Sequence, residues 1–294
     1  MKKIPSNSKI LSVSHDDMDG VGCQIVLGAI FKNIEYLTCS YSNIDKELMA
    51  IDGKEYDYIF VTDITPKVSE VLDAFNNIIL IDHHQNAIND PSKHRYVNKK
   101  YSATYLTNHF LTKMFGDTKL KHLSKIVKLI NDYDTWTLKY KGSKTLNDLF
   151  SLYNSKKFRS RFSTGDLSLS TDEKKYLFYV QDKYNKVYDE LIIEEFETIN
   201  ACWFESDVFV NEIANNLMID YGYDFVMFNT MKSHRVSIRS KMKDFNFGLY
   251  LKENNFGGGH KQAAGINADT EEDMMRIVDF IENDLYNKLP LIRK

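Results

Sequence analysis

The sequence predicts an α/β protein: an N-terminal, mainly parallel sheet with helices on both faces, joined by a long helix to a smaller C-terminal α+β domain. Three observations predict it. Between residues 9 and 82, short apolar and β-branched runs alternate with stretches of helix-type spacing, the pattern of a covered parallel sheet. From about residue 102 to 197 strand signals vanish and helical periodicity persists. After Asn200 strand signals return, and a helical run closes the chain.

Taken in order, KILSVS (9–14) reads as a strand, and Gly20 and Gly22 open a helix from about Val21 to Lys32. EYLTC (35–39) and YDYIFVTD (56–63) read as strands, the latter ending on Asp63. A helical stretch near Val68–Phe75 leads into IILID (78–82), which ends on Asp82. Ser102–Phe115, Leu120–Asn131 and the long run Asp172–Glu197 have no internal proline or glycine and carry helix-type spacing. SKKFRSRFSTGD (155–166) reads as a basic, solvated connection between helices. ACWF (201–204), YDFVMFN (223–229) and HRVSIRS (234–240) read as strands, with helices near Val210–Tyr221 and Glu271–Lys288. The boundary is expected near Thr198–Asn200, giving domains 1–198 and 199–294, with no low-complexity linker and no internal repeat.

The chain has 294 residues, 43 % apolar, enough for two cores. Its formal charge is −3, from 38 basic and 41 acidic residues. A protein gripping long nucleic acid is expected to carry a basic excess or stripe, so a nucleic-acid substrate is expected to be short or locally held. Cys23, Cys39 and Cys202 lack C-x-x-C spacing, which argues against a disulfide framework or a cysteine zinc site and for buried thiols. The N-terminus shows no cleavage signal, and no run approaches a membrane span, so a soluble, cytoplasmic protein is expected.

The acids and histidines at the strand ends are the informative feature. SHDDMDGVG (14–22) packs His15, Asp16, Asp17 and Asp19 into five positions, and acids so dense call for a counter-charge. Asp63 and Asp82-His83-His84 follow two further predicted strands. Singly, Asp19 reads as a helix N-cap, Asp63 as the start of a turn, and the two histidines as solvated. Jointly they fall past the carboxyl ends of strands, where open α/β sheets bind ligands. Carboxylates with imidazoles and no thiolate suit Mn²⁺ or Mg²⁺. Carboxylates in that number can hold two cations with one Asp bridging, an arrangement that serves phosphoryl transfer.

His15-x-Asp17-x-Asp19-Gly20, Asp63 and Asp82-His83-His84 resemble the motifs of the DHH phosphoesterase superfamily. Leu129-Ile-Asn-Asp132-Tyr-Asp134-Thr-Trp136 looks like its fourth motif. FGGGHKQAAG (256–265) is similar to the glycine-rich signature of the DHH-associated domain, with VSIRS (236–240) resembling its arginine strand. The resemblance spans about residues 9–285.

It implies that His15 and Asp17 bind one metal, that Asp19 binds a second with His83, and that Asp63 bridges. The last acid is expected to be Asp132, directly after the apolar run, with Asp134 as its rival. Asp82 is expected to orient a histidine or backbone, and His84 to face the substrate phosphate. Gly257, Gly258 and Gly259 would let backbone amides approach an anion that Arg239 and His260 also bind. Asp16 is expected to be exposed, and His94, His109, His122 and His234 to be non-catalytic.

The resemblance further implies metal-dependent hydrolysis of phosphoric esters, with Mn²⁺ favoured and Mg²⁺ open. The expected substrates are short RNA or DNA oligonucleotides or a linear dinucleotide such as pApA, released as monophosphates. A phosphatase on 3′-phosphoadenosine 5′-phosphate or a cyclic-dinucleotide phosphodiesterase is the alternative. A long-strand exonuclease, expected to need an additional OB-type domain and a basic surface, and a non-catalytic nucleotide-binding protein rank below it. A membrane partner is not expected, and a homodimer is left open.

Overall fold

In the computed structural model of the protein, described here for residues 4–68, 70–84, 87, 95–230, 235–289, 292 and 294, the chain forms two compact units, residues 1–180 and 181–294. His94 and His234 lie outside the described residues. Among those described, no helix is long and apolar enough to cross a membrane.

The first unit holds a five-stranded sheet of β1 (Ile10–His15), β2 (Ile34–Cys39), β3 (Tyr58–Thr62), β4 (Ile78–Asp82) and β5 (Arg95–Val97), all parallel, in the order β2-β1-β3-β4-β5. Strand side chains alternate between two cores, as the period of two requires. Ile10, Phe60, Ile79 and Ile81 pack with α1 (Met18–Ile30), α4 (Ala103–Phe115), α5 (Ser124–Asp134), α6 (Lys141–Leu152) and α7 (Ser155–Phe162). Leu11, Val13, Ile59 and Val61 pack on the other face with α2 (Ile44–Met49) and α3 (Glu70–Asp73). The strand order reverses between β1 and β3, so the loops leaving their carboxyl ends part to opposite sides and open a crevice. His15 ends β1, Asp63 follows β3, and Asp82 ends β4, the next strand over.

α1 begins at Met18 rather than Val21, because Asp17 caps it by accepting from Gly20 N at 2.9 Å. Asp19 therefore sits inside the first turn and is not this helix's cap. Gly20 is required: a Cβ there would lie 2.2 Å from the His15 carbonyl oxygen.

The basic segment expected to be a loop is helical over 155–162. Its Phe158 and Phe162, one turn apart, are fully buried, and its charged residues take the other side. The long helix is also shorter than expected. α8 (Thr171–Asp189) ends before β6 (Ile193–Glu195), which pairs with β7 (Ala201–Glu205) as a sheet edge. The division between the two compact units falls within α8.

The second unit holds a mixed six-stranded sheet, ordered β10-β11-β9-β8-β7-β6. It contains β8 (Phe225–Asn229), β9 (Arg235–Ser240), β10 (Gly257–Gly259) and β11 (Ala263–Asn267). On one face, α10 (Phe247–Glu253) and α11 (Glu271–Lys288) bury Phe225, Met227, Val236 and Ile238. On the other, α9 (Val210–Asp220) covers Phe204, Val226 and Phe228.

Candidate phosphoesterase site

The fold gathers residues far apart in sequence into three overlapping groups of donors. His15, Asp17 and Asp63 form one, Asp19, His83 and Asp134 a second, and Asp63, Asp82, His83 and His84 a third, each with one ligand atom per residue within 4.8 Å of the rest. His15 Nδ1 lies 2.8 Å from Asp17 Oδ2 and 3.9 Å from Asp63 Oδ2. His83 Nε2 lies 3.2 Å from Asp63 Oδ1, 3.6 Å from Asp134 Oδ2 and 3.9 Å from Asp19 Oδ2. The two carboxylate oxygens of Asp63 therefore serve different groups.

Asp63 is fixed for that task. Its φ is +61°, a left-handed conformation that Asp tolerates better than most side chains, and its amide donates to Ile81 O at 3.0 Å. Strained backbone of this kind concentrates at functional sites. Asp19 is held from the far side: its carboxylate accepts from Ala103 N at 2.7 Å and Thr104 N at 3.0 Å, capping α4.

Electrostatics make the cluster short of positive charge. Burial, then the charges of Asp17 and Asp19, push Asp63 well above the usual carboxylate range. Burial and Asp19 do the same to Asp134. Asp17 goes the other way, to about 2: burial opposes this, but the hydrogen bond and charge of His15 outweigh it. Asp63 Oδ2 and Asp134 Oδ2 are buried without a hydrogen-bond partner among the described residues. Buried polar atoms are rarely left so, and orphaned acceptors on a hard-donor set fit divalent cations. These residues could hold them.

Asp132 does not join the cluster, contrary to the expectation. Its Oδ1 accepts from Lys139 N at 3.1 Å, and its Oδ2 accepts from Tyr140 N at 3.1 Å and Ser143 Oγ at 2.5 Å. Its carboxylate thus latches the turn from α5 into α6, while Asp134, two positions on, reaches His83. Asp82 is likewise occupied: Oδ1 accepts from His83 N, His84 N and His84 Nδ1, and Oδ2 from Thr65 Oγ1 at 2.6 Å. His84 Nδ1 is held at 2.7 Å, which leaves its Nε2 outside that contact. Asp16 is exposed, 3.5 Å from His15 Nε2.

Tyr41 was not singled out from the sequence. It lies two residues beyond the carboxyl end of β2, and its ring sits 5.1 Å from His15 and 6.0 Å, edge-on, from His84. The strand-end rule that selected the acids would have found it, had aromatics been included in the search.

In the second unit, α9 leaves one end of its sheet face open, and a cavity of about 520 Å³ lies there. Ser237, Gly265 and Gly258 align across β9, β11 and β10 as its floor, flanked by Arg239 and Arg235. Asn211 Oδ1 receives Arg239 Nε at 3.1 Å and Nη2 at 2.9 Å, and the guanidinium lies 5.4 Å from the Phe228 ring centre. The three glycines differ in their surroundings. Gly257 (φ +157°) and Gly259 (φ +143°) are demanded by strand packing, since a Cβ on either would strike β11 backbone. Gly258 is free of such crowding, and both it and Gly259 line the cavity. His260 is exposed, in the turn that its amide closes on Ala263 O at 2.8 Å.

A larger cavity, about 840 Å³, lies against Tyr56 and Asn77, at the amino ends of β3 and β4. It is remote from the acids, which gather at the carboxyl ends.

Comparison with known proteins agrees with this architecture. The DHHA1 domain family matches residues 206–287. The chain is 27 % identical to the Bacillus subtilis oligoribonuclease NrnB, covering 88 % of this chain and 72 % of that protein. It is 26 % identical to a Helicobacter pylori 3′,5′-cyclic-nucleotide phosphodiesterase, over 58 % of each. Among solved structures, a pGpG-specific phosphodiesterase from Vibrio cholerae superimposes with a TM-score of 0.63 at 15 % identity, covering 95 % of this chain and 99 % of that one. RecJ from Thermus thermophilus, in complex with Mn²⁺, gives 0.59 at 12 % identity, with 97 % of this chain matching 53 % of RecJ. At such identities the structural likeness is one of fold.

Proposed function

We propose that this chain, a DHH-superfamily phosphoesterase, hydrolyses the phosphodiester bonds of short oligonucleotides or linear dinucleotides to nucleoside monophosphates, using two divalent cations. The observation that carries the reading is the divided carboxylate of Asp63, with Oδ2 toward His15 and Oδ1 toward His83. His15, Asp17 and Asp63 would hold one cation, and Asp19, His83, Asp134 and Asp63 the other. Bound there, such a pair supplies water activation and neutralises charge on the phosphoryl oxygens. The imidazoles favour Mn²⁺ over Mg²⁺.

The remaining residues have work of their own. Asp82 orients His84 and favours its imidazolium form, whose Nε2–H is left to donate to a phosphoryl oxygen. Arg239, steadied by Asn211, and the small-residue floor beside it take an anionic group of the substrate. The oligoribonuclease relative supports the oligonucleotide class, and a formal charge of −3 supports short over long substrates.

The test is a panel with Mn²⁺: pApA, a 5-mer RNA, a long single-stranded DNA, cyclic di-AMP, 3′-phosphoadenosine 5′-phosphate and pyrophosphate. Metal-dependent loss of pApA and the 5-mer ahead of the others is expected. Preferential loss of the long strand rejects the short-substrate reading, and turnover of none favours a nucleotide-binding protein. Asp63→Asn should fold normally, because Asn also tolerates left-handed backbone, yet lose most turnover. An active Asp63→Asn enzyme would remove Asp63 from the bridging role.

A further inference from the structure

A column of rings runs along one side of α4. Tyr101, Tyr105 and His109 follow one another at four-residue intervals, about one helical turn. Tyr101 and Tyr105 stack with centroids 4.4 Å apart and planes within 18°. Tyr105 and His109 continue the column at 6.4 Å and 11°, and Tyr96 of β5 adds to it at 6.3 Å and 25° from His109. Tyr101 is its exposed end, at 37 %.

One face of the Tyr101 ring is covered by Tyr105, a turn further along the helix. Its other face therefore looks past the amino end of α4, and no other ring among the described residues stacks on it. That end of the helix is the one gripped by Asp19, whose carboxylate binds the amides of Ala103 and Thr104, two and three residues after Tyr101. Lys99 and Lys100, both exposed, immediately precede the tyrosine. An aromatic face backed by Tyr105, two residues before the helix end that Asp19 of the acid–imidazole cluster grips, suits a flat, π-faced group.

We propose that the outer face of Tyr101 is the stacking platform for a nucleobase of the substrate, an inference that rests on the nucleotide-hydrolase reading above. Every base offers a π face, so the platform serves purines and pyrimidines alike. Lys99 and Lys100 suit the flanking phosphates. Because Tyr105 already fixes the ring, little side-chain entropy is lost on binding. Tyr101 is thus a binding residue that sets substrate position.

The experiment compares wild type, Tyr101→Phe, Tyr101→Trp and Tyr101→Ala with Mn²⁺, on pApA and on its analogue lacking both bases. Tyr101→Ala should raise KM for pApA about tenfold to a hundredfold, the range that one base–aromatic stack spans, with kcat nearly unchanged. Tyr101→Phe and Tyr101→Trp should stay near wild type, and KM for the base-free analogue should be the same in all four. An unchanged KM for pApA in Tyr101→Ala overturns the proposal, as does an equal rise on the base-free analogue, which marks a structural role. A parallel equilibrium measurement with AMP and ribose 5-phosphate keeps the two readings apart. If the wild type cleaves no nucleotide, the enzymatic reading fails, while weaker AMP binding by Tyr101→Ala, with ribose 5-phosphate unaffected, still upholds the platform and equal AMP binding rejects it.

Discussion

Asp132 and Asp134 stand two positions apart in α5 and do different work. Residues so spaced are about 200° apart around a helix and cannot face the same site. The apolar run before Asp132 located the element but not its rotation, so sequence favoured Asp132, whereas in the fold it is Asp134 that lies near His83. In the fold, Asp132 spends its oxygens on Lys139 N, Tyr140 N and Ser143 Oγ, whereas a buried oxygen of Asp134 has no hydrogen-bond partner among the described residues. Asp134→Asn should weaken Mn²⁺ binding at least about tenfold in calorimetry and leave the melting temperature of the metal-free protein unchanged or raised. Asp132→Asn should cost about 2 kcal/mol or more of stability, since it weakens the charge-assisted bonds that a buried carboxylate makes to the turn between α5 and α6. Reversed phenotypes would return the ligand role to Asp132. His15, Asp17, Asp19, Asp63, His83 and His84 were each legible because their positions follow strands, whose ends a parallel sheet aligns.

Elements were legible where apolar periodicity was strong and failed where it was thin. α7 offers two buried phenylalanines among six basic or polar neighbours, too few to outweigh its charge until α1 and α6 supply the pocket they fill. The start of α8 carries a clearer device. Ser170 Oγ accepts from Glu173 N at 3.2 Å, and Glu173 Oε2 accepts from Ser170 N at 2.7 Å, a reciprocal capping box. Arg161 of α7 adds its Nε to Glu173 Oε1 at 2.9 Å, tying the two helices together. Burial would raise Glu173, but Arg161 and the Ser170 amide outweigh it and hold the carboxyl at about 2, down from its ordinary 4.5. A depressed carboxyl stabilises the fold above its unfolded value, and the gain disappears as pH falls through its folded value. The contribution, about 3 kcal/mol at neutral pH, should therefore fade between about pH 4.5 and pH 2. Denaturant midpoints across that range should show the loss in wild type, and a flatter profile in Glu173→Gln. Identical profiles would refute the assignment.

At the scale of the molecule, two units carry separate cores and separate chemistry. The first holds the acid–imidazole cluster, the second an arginine-flanked floor on an uncovered sheet face. A cation that binds only the folded cluster must stabilise the unit containing it. At a hundredfold excess over the dissociation constant that amounts to about 2.7 kcal/mol, or roughly 5–10 °C for a unit of this size. Chelation should lower the melting of the first unit by that amount, and added Mn²⁺ should restore it. Trp136 and Trp203, one in each unit, let single-tryptophan variants report the two separately. A melting curve indifferent to chelator would count against a resident cation.

The sequence by itself determined the fold class, the strand-end location of the acids and imidazoles, and the donor chemistry they share. These are written in local order: a period of two, a run that ends on an acid, a glycine where backbone must pass closely. Only the tertiary structure decided which of two aspartates meets His83, that strand packing bars a side chain at Gly257 and Gly259, and that Tyr41 lies against His15 and His84. Those outcomes depend on helix rotation and cross-strand register, which are settled by packing between segments tens of residues apart.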